Sequence, residues 1–92
     1  MYKMIERSIT ILNKLGMHAR AAAKFVTTAS EFNADIQVAR NGRIVNGKSI
    51  MGLMMLAAAK GTDIVVHITG DDEQAAFDAI EALIQDFFGE GE

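Results

Sequence analysis

Asn41-Gly42 stands between two short runs, ADIQVAR (34–40) and RIV (43–45). A two-residue type I′ turn needs positive φ at both central residues, which Asn-Gly supplies at least cost, so the pair predicts a tight antiparallel hairpin. That hairpin constrains everything around it, because two strands alone are marginal in water and need further strands or helices over their apolar face. MIERSITIL (4–12) alternates as another strand, with Ile5, Ile9 and Ile11 on one face and Ser8 and Thr10 on the other. DIVVHIT (63–69) is a fourth, with Ile64, Val66 and Ile68 sharing a face.

Between the strands the period changes. From Ala19 onward Ala22, Phe25, Val26, Ala29 and Phe32 recur at helical spacing, and Asn33 is read as a left-handed stop. The spacing predicts a second helix over 48–60, with Ile50, Leu53, Met54 and Ala57 inward and Gly61 ending it. Asp71-Asp72-Glu73-Gln74 fits a capping box ahead of a third helix, whose stripe is Ala76, Ile80, Leu83, Ile84 and Phe87. The order β-α-β-β-α-β-α predicts an α+β fold, an open-faced two-layer sandwich with a four-stranded antiparallel sheet and three helices on one face. Alternating strands are half-buried, so the other sheet face is left to solvent. One domain spans 1–92, with a core over about 4–88 and an acidic GEGE tail at 89–92.

Composition narrows the function classes. The chain has 92 residues, half of them hydrophobic, enough for one modest core without staples. It has no cysteine, which removes disulfides, thiolate metal sites and thiol nucleophiles. A net charge of −3 argues against nucleic acid as a partner. The opening MYKMIERS lacks a signal peptide's apolar stretch and no run is long enough to insert in a membrane, so the expectation is a soluble cytoplasmic protein. Two histidines on different elements, without cysteine, give a metal site little to build on, and neither metal nor cofactor is expected.

Of those histidines, His67 falls out of phase with Ile64, Val66 and Ile68 and points to the open sheet face, where a solvated ring needs no explanation. His18 lies in LGMHARAAAKFV (15–26), at the end of a glycine-containing loop and one residue before a helix. The first turn of a helix carries unpaired N–H donors and partial positive charge, a ready anion seat. Here the amides of Ala19, Arg20 and Ala21 would form it, and the Arg20 guanidinium offers a planar fork suited to phosphate. Such positive surroundings favour a neutral ring, whose lone pair can attack phosphorus. A histidine at a helix cap with no further role is the plainer alternative.

Ser49 opens the second helix in NGKSIMGLMML (46–56), where a serine most often serves as an N-cap. Phosphate added there would be favoured by the helix dipole. Met51 and Met55 flank the inward stripe, and methionine-rich surfaces adapt to several partners.

The element order, LGMHARAAAKFV and NGKSIMGLMML together resemble the HPr family, histidine-containing phosphocarriers of the phosphoenolpyruvate-dependent phosphotransferase system. The likeness runs over essentially the whole chain. It is of proteobacterial type, with the sugar branch and the nitrogen-branch variant NPr both open. The resemblance implies that His18 is phosphorylated at Nδ1, that Arg20 accompanies the phosphoryl group, and that Ser49 is the target of an HPr kinase/phosphorylase in carbon catabolite regulation. It implies a monomer that takes phosphate from enzyme I, passes it to IIA-type acceptors, and is a relay and not a turnover enzyme. Ile50, Met51 and Met54 match the family's docking surface, to which Met17 and Met55 are added here. One departure is Ala21, where many members carry proline. A rival reading is a regulatory HPr-like protein that binds transcription factors or enzymes without relaying phosphate.

Overall fold

A computed structural model describes residues 4–92. Strand β1 (Met4–Thr10) is followed by helix α1 (Ala19–Ala29), the hairpin strands β2 (Asp35–Arg40) and β3 (Arg43–Asn46), helix α2 (Ile50–Met55), strand β4 (Asp63–Thr69) and helix α3 (Glu73–Gln85). A short turn over Phe87–Gly89 follows α3. The strands form one sheet in the order β1-β4-β2-β3, every pairing antiparallel. This is the expected open-faced sandwich.

Register explains the layering. Ile5 stands opposite Ile68, which stands opposite Ile36, while Val66 faces Val38 and Ile9 faces Ile64. These side chains are buried beneath the helices together with Ala22, Phe25, Leu53, Ile80 and Ile84. The alternate row, Glu6, His67, Gln37 and Asn46, runs across the uncovered face. There His67 Nδ1 lies 3.2 Å from a Glu6 carboxylate oxygen. Arg7 shares the inner face of edge strand β1 and lays its guanidinium over the Phe77 ring, 5.9 Å from the centroid. The hairpin turn is as expected, with φ of 51° at Asn41 and 79° at Gly42.

The helices depart from expectation at their ends. In α1 the wholly buried residues are Ala21, Ala22, Phe25 and Ala29. The helix closes at Ser30, and Asn33 does not take the left-handed conformation expected of it. Its amide and that of Ala34 donate instead to the Asp72 carboxylate, at 2.8 and 2.9 Å. Asp72 is thus a tie between the α1–β2 connection and the start of α3, and its side chain caps nothing in its own helix. The expected capping box does not form; the contact found instead lies one residue earlier, where the Gly70 amide donates to Glu73 Oε1 at 3.1 Å.

Helix α2 is half its predicted length. The chain leaves the helix after Met55, and Ala57 adopts φ 50°. Arg40 and Arg43 reach over from the hairpin and donate to the carbonyls of Leu56 and Met55, so the terminus is satisfied where it stops. Leu53, Leu56 and Ala58 face inward, while Ile50, Met54 and Ala57, expected on that stripe, are exposed. At the end of α3 the core position belongs to Phe88 and not to Phe87, because both residues take positive φ and the helical phase is lost.

Candidate functional site

The loop Asn13–Met17 carries His18 to the mouth of α1, and three contacts fix it. Gly16 sits at φ 68°, and a Cβ there would stand 2.5 Å from the Ala58 carbonyl oxygen. That same oxygen accepts the Met17 amide at 2.9 Å. Asn13, the one buried polar side chain among the described residues, donates through Nδ2 to the Gly16 carbonyl at 2.8 Å. Met17 itself, expected on the docking surface, is 4% exposed and plugs the core beneath the loop. This corrects the expectation of an exposed side chain: Met17 anchors the loop by burial and presents almost no surface.

His18 is the N-cap of α1, with φ −76° and ψ 177°, and its carbonyl accepts the Ala22 amide at 2.8 Å. Its side chain does no capping. The ring, 28% exposed, opens on a cleft of about 680 Å³ that Lys14, Leu15, Arg20 and Lys24 also line. Arg20 is exposed and has no hydrogen bond or ion pair among the described residues. Ala19 is exposed as well, whereas Ala21 has no accessible surface, which leaves Ala19 and Arg20 as the open residues of the expected amide seat.

The fourth wall of the cleft was not legible in the sequence. The GEGE segment is no loose tail: it folds back over the loop, with the Lys14 amide donating to the Glu92 carbonyl at 3.0 Å. Lys24 Nζ donates to the Phe88 carbonyl at 2.6 Å. Glu90, with a side chain 11% exposed, receives Asn13 Nδ2 on Oε1 at 2.9 Å and holds Oε2 against His18 Nε2. Burial works to raise the Glu90 carboxyl. The hydrogen bonds from Asn13 and His18, with the nearby charge of Lys24, outweigh it and hold the group below the usual glutamate value. The ring therefore meets a carboxylate at close quarters, not the uniformly positive setting expected of it. No local signal marks this contact, since it joins residues 72 apart.

Around the second helix the picture is split. Ser49 caps α2, its Oγ accepting the Gly52 amide at 3.1 Å. Ile50, Met51, Met54 and Met55 stand exposed along one short helix that packs beside α1, with Met51 73% accessible. Leu15, on the His18 loop, is a further exposed apolar side chain that the sequence reading passed over.

Residues 5–86 match the family model described as the PTS HPr component phosphorylation site. The chain belongs to the HPr family. Among curated HPr proteins, the phosphocarrier protein HPr of Neisseria meningitidis is 57% identical over 89 residues, covering 97% of this chain and 100% of the relative. That of Cupriavidus necator is 53% identical, with the same coverage. Among solved structures, HPr-C-His from Thermoanaerobacter tengcongensis superposes with a TM-score of 0.90 at 46% identity, covering 94% of this chain and 97% of that one. The HPr fold and phosphocarrier class follow from these matches.

Proposed function

We propose that His18 carries the phosphoryl group, accepting it at Nδ1 from phosphorylated enzyme I and handing it to IIA-type proteins of the sugar or nitrogen branch. One observation carries this reading. His18 is an N-cap residue whose side chain caps nothing and instead opens on a cleft beside three cations, Lys14, Arg20 and Lys24. A phosphoryl group there finds the positive end of α1 and a guanidinium with no other partner among the described residues. With Nε2 engaged by Glu90, Nδ1 is the ring nitrogen left for phosphorus.

Docking falls to the exposed apolar side chains Ile50, Met51, Met54 and Met55, with Leu15 exposed on the rim of the cleft. Met side chains repack readily, which suits one surface meeting several partners in turn. Ser49 is the site of regulatory phosphorylation by an HPr kinase/phosphorylase, and its capping bond to Gly52 is the contact such a phosphate would alter. The protein works as a cytoplasmic monomer and turns over nothing by itself.

The test is phosphoryl transfer from phosphoenolpyruvate through enzyme I. The wild-type chain is expected to acquire an acid-labile, base-stable adduct that His18→Ala cannot form. An adduct that persists in His18→Ala refutes the assignment.

A further inference from the structure

Behind the cleft a chain of three side chains ends on the His18 ring. Asn13 Nδ2 donates to Glu90 Oε1, and Glu90 Oε2 lies against His18 Nε2. Asn13 and Glu90 are each oriented by something independent of the ring. Asn13 is wholly buried and gives the same Nδ2 to the Gly16 carbonyl, so its amide cannot turn over without setting two oxygens face to face. Glu90 is mostly buried and is presented by a segment pinned at both ends, through Phe88 in the core and the Glu92 carbonyl on Lys14. An ionised carboxylate only accepts hydrogen bonds, so the hydrogen it receives from His18 must reside on Nε2.

We infer that Glu90 is a positioning residue for phosphoryl transfer: it holds the proton of His18 on Nε2, keeps the Nδ1 lone pair aimed into the cleft, and offsets the positive charge the ring gains as phosphorus arrives. The inference rests on the reading of His18 as phosphoryl acceptor. In the transfer, the Nδ1 lone pair forms the N–P bond while the bond between phosphorus and the donor enzyme breaks, its electron pair leaving with the donor. The Nε2 proton stays in the hydrogen bond to Glu90 throughout, and the same arrangement runs backward when the phosphoryl group is passed on. A carboxylate behind one imidazole nitrogen that readies the other is the logic of the histidine–carboxylate pair in triad hydrolases, with the two nitrogens exchanged.

The arrangement makes an unusual ordering of variants. In Glu90→Gln the oxygen of the new amide is claimed by Asn13, which can only donate there. The amide nitrogen then faces His18 and donates to Nε2, which pushes the ring proton to Nδ1 and removes the nucleophile. In Glu90→Ala the ring is merely released and samples both tautomers. Transfer from phosphorylated enzyme I is therefore expected to be slower in Glu90→Gln than in Glu90→Ala, and about tenfold slower than wild type, or ~1.4 kcal/mol of barrier. Glu31→Gln, an exposed site at the end of α1, removes the same charge and is expected to transfer at the wild-type rate.

The accompanying readout is the ¹⁵N signature of the His18 ring in the unphosphorylated protein. Wild type should show a bare Nδ1 and a protonated Nε2, Glu90→Gln the reverse, and Glu90→Ala a mixture. Equal transfer rates in wild type and Glu90→Gln, or ring signals that do not move between them, overturn the inference. If wild type takes no phosphoryl group at all, the reading of His18 fails, and the ring signals still decide what Glu90 does.

Discussion

The placement of His18 depends on Gly16, and replacing Gly16 by alanine separates two costs that usually come mixed. The first is conformational: an L-residue at φ near 68° pays about 1–2 kcal/mol for the left-handed backbone. The second is steric. The new Cβ would lie 2.5 Å from the Ala58 oxygen and 3.0 Å from Ala59 Cα, both backbone atoms that cannot rotate away. For the methyl to fit, the carbonyl must retreat, and it is the acceptor for the Met17 amide. Leaving that buried bond unmade costs about 1–3 kcal/mol. Gly42 supplies the control, because its φ is 79° while nothing lies within 4 Å of its would-be Cβ. Urea unfolding should then show Gly42→Ala destabilised by about 1–2 kcal/mol and Gly16→Ala by about 2–5 kcal/mol, with unchanged slopes. For a domain of this size the excess amounts to roughly 4–8 °C in Tm per kcal/mol. If the two variants agree to within about 0.5 kcal/mol, the packing of the loop against Ala58 is not what fixes it.

Met17→Ala should cost about 2–5 kcal/mol in the same unfolding experiment as a buried methionine, whereas Met51→Ala should change stability by less than about 0.5 kcal/mol. A neutral Met17→Ala would return that residue to the surface. The Asp72 carboxyl is held below its ordinary value, first by the Asn33 amide, against an opposing effect of burial, and further by the Ala34 amide, its own amide and the charge of Lys48. A depressed folded-state value means that its stabilisation is present at neutral pH and is lost as pH falls through that value. The stability gap between wild type and Asp72→Asn should therefore be full at pH 7, shrink below roughly pH 4, and close in stronger acid. A gap that stays constant with pH would refute the tie to the α1–β2 connection.

What the sequence made legible was local. Period-two spacing placed β1, β2 and β4, and Asn41-Gly42 placed the hairpin turn and with it β3, because both signals are written in adjacent residues. The placement of His18 and Arg20 at a helix mouth was legible for the same reason, because that mouth is read from the loop and stripe beside it. The misses involve contacts between distant segments. Nothing near Asn33 says that its amide answers to Asp72. Nothing near Met55 says that α2 must end so that Ala58 can meet the His18 loop. Phe87 and Phe88 are chemically identical neighbours, and helical phase picks the wrong one once the backbone turns left-handed. Glu90 is the largest omission, because an acidic segment of this kind has the composition of a solvated tail and meets His18 only by folding back.

The position of β4 between β1 and β2 has a consequence for the order of assembly. The first two strands made during synthesis share no edge, so the apolar face of β1 has no neighbour to pair with until Asp63–Thr69 has emerged. The local units that form early are the β2–β3 hairpin and the helices, while the pairing that joins the two halves awaits the fourth strand. The nascent chain is thus committed to holding an unsatisfied β1 until Asp63–Thr69 is made, and the cleft around His18 closes only once Glu90 and Glu92 have followed.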